Sequence, residues 1–193
     1  MKSIVIIFSC FLLLSCAGMG SKREVTPNNS FLSIMPNLSV DIDESLKYRG
    51  TFKLKSLPSS DKFTSPFSNN EYHVWSDSYN QTAVVIIFKK LVENAYKWNE
   101  PNIIKDGKTV FNVSRQGNWV TRTGLAAPNN KENLKCIELG VYLRNLRMTK
   151  MWIKNSTYSY QLIVLYAEKF NGCDTEALNN FEDKANSNIH ILN

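Results

Sequence analysis

The sequence predicts an α+β domain: a mainly antiparallel β-sheet of about seven to nine strands, with a C-terminal amphipathic helix packed on it and one disulfide. Three observations predict it. Apolar and polar residues alternate with a period of two in many short segments. One segment, residues 82–88, reads Thr-Ala-Val-Val-Ile-Ile-Phe, β-branched and apolar on both faces, as a strand covered on both sides requires. A single stretch near the end, residues 175–187, repeats instead with the helical period.

Taken in order, the chain starts with one basic residue, Lys2, followed by an almost wholly apolar run over residues 4–14 and by Ser15-Cys16-Ala17. A charged start, an apolar core of about 7–15 residues and a small-residue exit form the pattern of a secretory signal. The run is too short to span a bilayer core of about 30 Å as a helix. The exit, Leu13-Leu14-Ser15-Cys16, resembles the lipobox of bacterial lipoproteins. That resemblance implies a signal peptide over residues 1–15. It also implies a thioether-linked diacylglycerol on Cys16 and an acyl chain, palmitate for example, on the new amino terminus. The protein would then sit in the cell envelope, held to a membrane by its lipid. Ala17, rather than Asp, follows the cysteine, and in double-membraned bacteria this favours the outer membrane. Residues 16–36 are small, polar and aperiodic, and are expected to form the lipidated Cys16 and a flexible tether. Residues 37–193 form a single globular domain.

Removing residues 1–15 removes one charge, Lys2, and leaves 22 basic and 17 acidic residues, a net of +5. The positive charges, among them Lys53, Lys55, Lys89, Lys90, Arg144, Arg147 and Lys150, are scattered, with none of the dense basic runs that bind nucleic acid. The expected partners are the membrane, through the lipid, and an envelope protein, with no nucleic acid. Cys136 and Cys173 are the cysteines left after the anchor, and two cysteines in an exported chain predict a disulfide. Chain entropy assigns such a loop roughly 3–4 kcal/mol of stabilisation.

Within the domain, Leu38, Val40 and Ile42 alternate with Ser39, Asp41 and Asp43, and Phe52 and Leu54 with Lys53 and Lys55, predicting two half-buried strands. Tyr72 to Trp75 begins a third, and residues 82–88 form a central one. Asp106-Gly107 signals a hairpin, and Gln116-Gly117 a second. Residues 124–135 read as a polar loop. Ile137, Leu139, Val141 and Leu143 alternate as a strand, followed by strands at 151–153 and 157–167. Asp174 is placed as the N-cap of the final helix, which presents Leu178, Phe181 and Ala185 on one face. The disulfide would tie this helix to the strand near Ile137.

No chemical motif stands out. His73 lies on a strand beside Trp75, and no Gly-x-Ser-x-Gly elbow offers it a nucleophile. His190 stands three residues from the end, where chains fray. Asp41 and Asp43 share one strand face but lack the further oxygen ligands that calcium needs. No catalytic residue, metal site or cofactor is expected, apart from the covalent lipid at Cys16. His73 and Trp119, the latter flanked by Asn118 and Thr121-Arg122-Thr123, are the candidates for a binding surface. These residues predict a non-enzymatic binding or assembly module of the envelope. The alternatives are an envelope hydrolase with an unfamiliar site using His73 or the Asp41 and Asp43 pair, and an inhibitor of a secreted enzyme.

Overall fold

The computed structural model describes residues 22–56, 67–92, 98, 110–125, 130–142, 148–156, 159–169 and 175–192. The strands are β1 (Arg23–Val25), β2 (Ser30–Ser33), β3 (Leu38–Ile42), β4 (Lys47–Ser56), β5 (Ser68–Ser76), β6 (Thr82–Leu91), β7 (Val110–Gln116), β8 (Trp119–Leu125), β9 (Met148–Asn155), β10 (Tyr160–Glu168) and β11 (Ile189–Leu192). The helices are α1 (Asn130–Glu138) and α2 (Thr175–Asn188). The strands form two antiparallel sheets, one of four in the order β1-β2-β3-β11 and one of seven in the order β4-β5-β6-β10-β9-β8-β7. The mainly antiparallel architecture and the C-terminal helix agree with the sequence reading.

The seven-stranded sheet is covered on both faces. On one, Trp75, Ile86 and Val164 pack against Phe31, Val40 and Ile42 of the small sheet and against Phe181 and Ala185 of α2. On the other, Val74, Val85 and Ile163 pack with Cys136 and Val141 of the α1 segment. Six consecutive residues of β6, from Ala83 to Phe88, are buried, as the two-faced apolar run requires. The face assignment along β10 also follows the alternation: Leu162, Val164 and Tyr166 face the small sheet and α2, and Ile163 and Leu165 face α1.

Three expectations are corrected. The stretch 16–36 is not all tether, because β1 and β2 lie within it and Phe31 is fully buried. Residues 130–138 are helix, where a loop and then a strand were expected. Gly140, at φ 76°, closes that helix: its N–H bonds to the carbonyl of Ile137, and the N–H of Val141 to that of Cys136. This paired closure needs a residue in the left-handed region, which glycine adopts at little cost. The alternating apolar residues that imitate a strand are instead the tail of the helix and the apolar residues that follow its cap. Third, residues near His190 do not fray, for β11 pairs with β3 through Ile189↔Ile42 and His190↔Asp41. The expected Cys136–Cys173 disulfide reaches outside the described residues. Cys136 is buried, the strand it was to secure is α1, and Cys173 lies outside the described residues. The Asp106-Gly107 hairpin and the Asp174 cap also lie outside them. The β7–β8 hairpin turns through Gly117 at φ 57° with Gln116↔Trp119 closing it.

Asn29 fastens the two sheets together. At φ 59° it turns the chain between β1 and β2. Its amide nitrogen donates to the carbonyls of Ile42, Asp43 and Leu46 at 3.2, 2.9 and 2.8 Å. Its amide oxygen accepts from the Trp75 indole N–H at 3.0 Å. One short side chain thus satisfies polar groups on both sides of the core, which burial would otherwise leave costly.

Candidate functional site

Strand register builds the site. Across β4, β5, β6 and β10, residues of one face line up in rows: Thr51–His73–Ile86–Val164, then Lys53–Glu71–Phe88–Leu162, then Lys55–Asn69–Lys90–Tyr160. The first row runs under the small sheet, with Phe31 4.7 Å from the His73 ring. The second is partly covered by Arg23 of β1, whose guanidinium lies 4.0 Å from the centre of the Phe88 ring. The third emerges from beneath the small sheet. Where the cover ends there is a groove of about 450 Å³, lined by Arg23, Lys53, Lys55, Lys90, Glu71, Asn69, Asn70, Leu54, Phe88 and Tyr160.

Its electrostatics are one-sided. Glu71 is the only carboxylate lining the groove among the described residues, against four cations. That carboxylate is already engaged. It accepts from His73 Nε2 at 2.8 Å and from Arg23 Nη1 at 2.8 Å, with Lys53 Nζ at 3.6 Å. The hydrogen bond from His73 foremost, and then the Arg23 charge working against the cost of burial, hold its pKa down at about 2. Glu71 is therefore ionised and neutralised at neutral pH. Arg23 is itself buried, its side chain only 8% exposed, and its Nε has no hydrogen-bond partner among the described residues. Lys53, Lys55 and Lys90 are exposed, and the Lys90 ammonium lies 5.5 Å from the Tyr160 ring centre. The three lysines leave the groove with a surplus of positive charge over an aromatic floor.

His73 continues the chain of contacts inward. With Nε2 donating to Glu71, Nδ1 faces the Tyr48 hydroxyl at 3.3 Å. Burial, and secondarily the Glu71 charge, raises the pKa of that phenol, which disfavours the phenolate a nucleophile would need. Thr51, opposite His73, donates its hydroxyl to the Tyr72 carbonyl instead. Both nitrogens of His73 thus serve a fixed network between the sheets.

The two residues put forward as a binding surface are both buried, and they are not together. His73 is 6% exposed and lies on β5; Trp119 is 6% exposed and lies on β8, with β6, β10 and β9 between them. Of the polar neighbours of Trp119, Thr121 and Thr123 share its inward face and are buried with it, and Lys154 lies 5.3 Å from its ring centre. Asp41 sits in the β3 ladder, while Asp43 lies beyond it and accepts the Ser45 N–H at 2.9 Å; the Ser45 hydroxyl foremost, and then that N–H, lower its pKa. No group of three metal-ligating side chains occurs among the described residues. None of their helices is long and apolar enough to cross a membrane. Cys16 lies outside them. The groove residues Lys53, Lys55 and Lys90 look scattered in the sequence; only the register, which sequence alternation does not give, brings them together.

Comparison of the chain with protein-family models, with curated proteins and with solved structures finds no match to any of them.

Proposed function

We propose that this chain is a cell-envelope lipoprotein, anchored to a membrane by lipid on Cys16, whose domain acts as a non-enzymatic binding or assembly module. The lipobox-like Leu13-Leu14-Ser15-Cys16 after an apolar run supports the address, with the outer membrane favoured by Ala17 in a double-membraned organism. The groove carries the binding reading: three exposed lysines and a buried arginine surround a single carboxylate that His73 and Arg23 already satisfy. Such a site attracts an anionic group and offers it flexible ammonium donors. It supplies no activated nucleophile, since the histidine is enclosed and the nearby phenol is held in its neutral form.

The pairing of Cys136 with Cys173 belongs to the same proposal, and it follows from the oxidising location rather than from geometry. Thiol titration of the unfolded, unreduced protein separates the cases: no thiols if the pair is bonded, two if it is not.

The anchor is tested by labelling cells with a palmitate analogue. The native chain takes up label and the Cys16→Ser variant does not. A native chain that takes up no label would sink the anchor reading.

A further inference from the structure

We infer that the groove is a site for the phosphate-bearing headgroup of an anionic lipid, and that the groove end of the domain lies on the membrane surface. This rests on the anchor reading above. Three independent observations converge on that end.

The first is the charge of the groove, with Lys53, Lys55 and Lys90 exposed beside buried Arg23. The second is an apolar rim. Phe67 and Val92 continue the register one row past Lys90 and Asn69, with the Val92 N–H on the Phe67 carbonyl at 2.9 Å, and they are 44% and 53% exposed. On the other side, Arg23 Nη2 reaches the Met35 carbonyl at 3.4 Å. Met35 and its neighbour Ile34 form the tip of the β2–β3 turn, at 55% and 68% exposure. Exposed apolar side chains grouped round cations are what an interface of acyl chains and anionic headgroups accommodates.

The third is the length of the tether. The Ile34 N–H bonds to the Lys22 carbonyl at 3.1 Å, so the first described residue lies beside the apolar tip. From Lys22 back to Cys16 is six residues, which span at most about 20 Å when extended. A lipid on Cys16 holds this end, and not the far end of the sheet, against the bilayer. An acidic protein would also suit the lysines, but it explains neither the apolar rim nor the placing of Lys22 beside it.

The test uses the mature chain, residues 16–193 with Cys16→Ser, so that neither the apolar signal nor the lipid masks weaker contacts. Binding is measured by flotation with vesicles of phosphatidylcholine alone and with about one third phosphatidylglycerol. The groove variant is Lys53→Glu, Lys55→Glu and Lys90→Glu. The control, Lys47→Glu, Lys131→Glu and Lys169→Glu, makes the same change of charge at exposed positions away from the groove. All six side chains are exposed, and thermal melts confirm that both variants fold.

The expected result is binding that requires phosphatidylglycerol, falls about a hundredfold or more in the groove variant, and changes little in the control. Ile34→Ser with Met35→Ser should lower it about tenfold. Equal binding by native and groove chains would overturn the inference, as would equal losses in both charge variants. Full competition by millimolar inorganic phosphate would assign the site to a free anion instead, and also overturn it. Acylation of Cys16 is read separately by palmitate labelling, so the anchor and the groove fail independently.

Discussion

Glu71→Gln isolates the buried network that closes the groove. The carboxylate receives His73 and Arg23 hydrogen bonds, each at 2.8 Å, and its side chain is 18% exposed. Its pKa stands at about 2, against an ordinary 4.5. By linkage that difference corresponds to about 3 kcal/mol of folding stability. The sign follows from the depression. Between about pH 2 and 4.5 the unfolded chain binds a proton that the folded chain refuses, so stability is whole above about pH 5 and drains away as pH falls through that window. The glutamine has no proton to exchange there. Urea unfolding at pH 7 should therefore show the variant about 3 kcal/mol less stable, and the gap should narrow to about 1 kcal/mol at pH 3. Titrating groups away from Glu71 contribute alike to both proteins and cancel in the difference. A gap that stays constant from pH 7 to pH 3 would refute the reasoning, because it would mean that the carboxylate's charge is not what the network stabilises.

Three further substitutions probe the frame. Asn29→Gly keeps the φ of 59° accessible but removes the bonds to Trp75 and to three carbonyls; it should cost about 2–4 kcal/mol in denaturant unfolding and alter the Trp75 emission. Gly140→Ala places a methyl group where nothing lies within 4 Å, so its cost is the left-handed backbone alone, about 1 kcal/mol, seen as a melting point lowered by about 2–4 °C. Phe181→Ala empties a fully buried site between α2 and the large sheet and should cost about 3–5 kcal/mol, with calorimetry as the check.

Strands whose two faces differ were legible in the sequence because burial imposes period two on them: Leu38, Val40 and Ile42 in β3, and Phe52 and Leu54 in β4, stand where alternation puts them. The final helix was legible for the matching reason, with Leu178, Phe181 and Ala185 on its inner face. Short edge elements were not. β1 has three residues and β2 four, too few for a period to show, and their hold on the fold comes from Phe31 and from the Asn29 side chain rather than from pattern. At Val141 the alternation misled, although Gly140 followed by an apolar residue was a legible helix-closing signal.

The site was less legible than the fold. His73 drew attention as one of two histidines, yet Glu71 and Phe31 flank it, and the second lies 42 residues away on a strand the pattern did not reveal. Trp119 looked exposed because polar residues surround it in sequence, but Thr121 and Thr123 share its face and are themselves buried, so polarity did not mark the surface. Lys53, Lys55 and Lys90 converge because three strands pair in one particular register, a property of tertiary structure that no window of sequence contains.

The account stands on Cys16. The most direct measurement is the intact mass of the protein extracted from cells that make it, before and after ester hydrolysis. The account predicts a chain beginning at Cys16, heavier than its polypeptide by a diacylglyceryl group and an amide-linked acyl chain, with the ester-linked chains lost on hydrolysis. A mature chain beginning at any other residue, or at Cys16 with a bare thiol and amine, would contradict it.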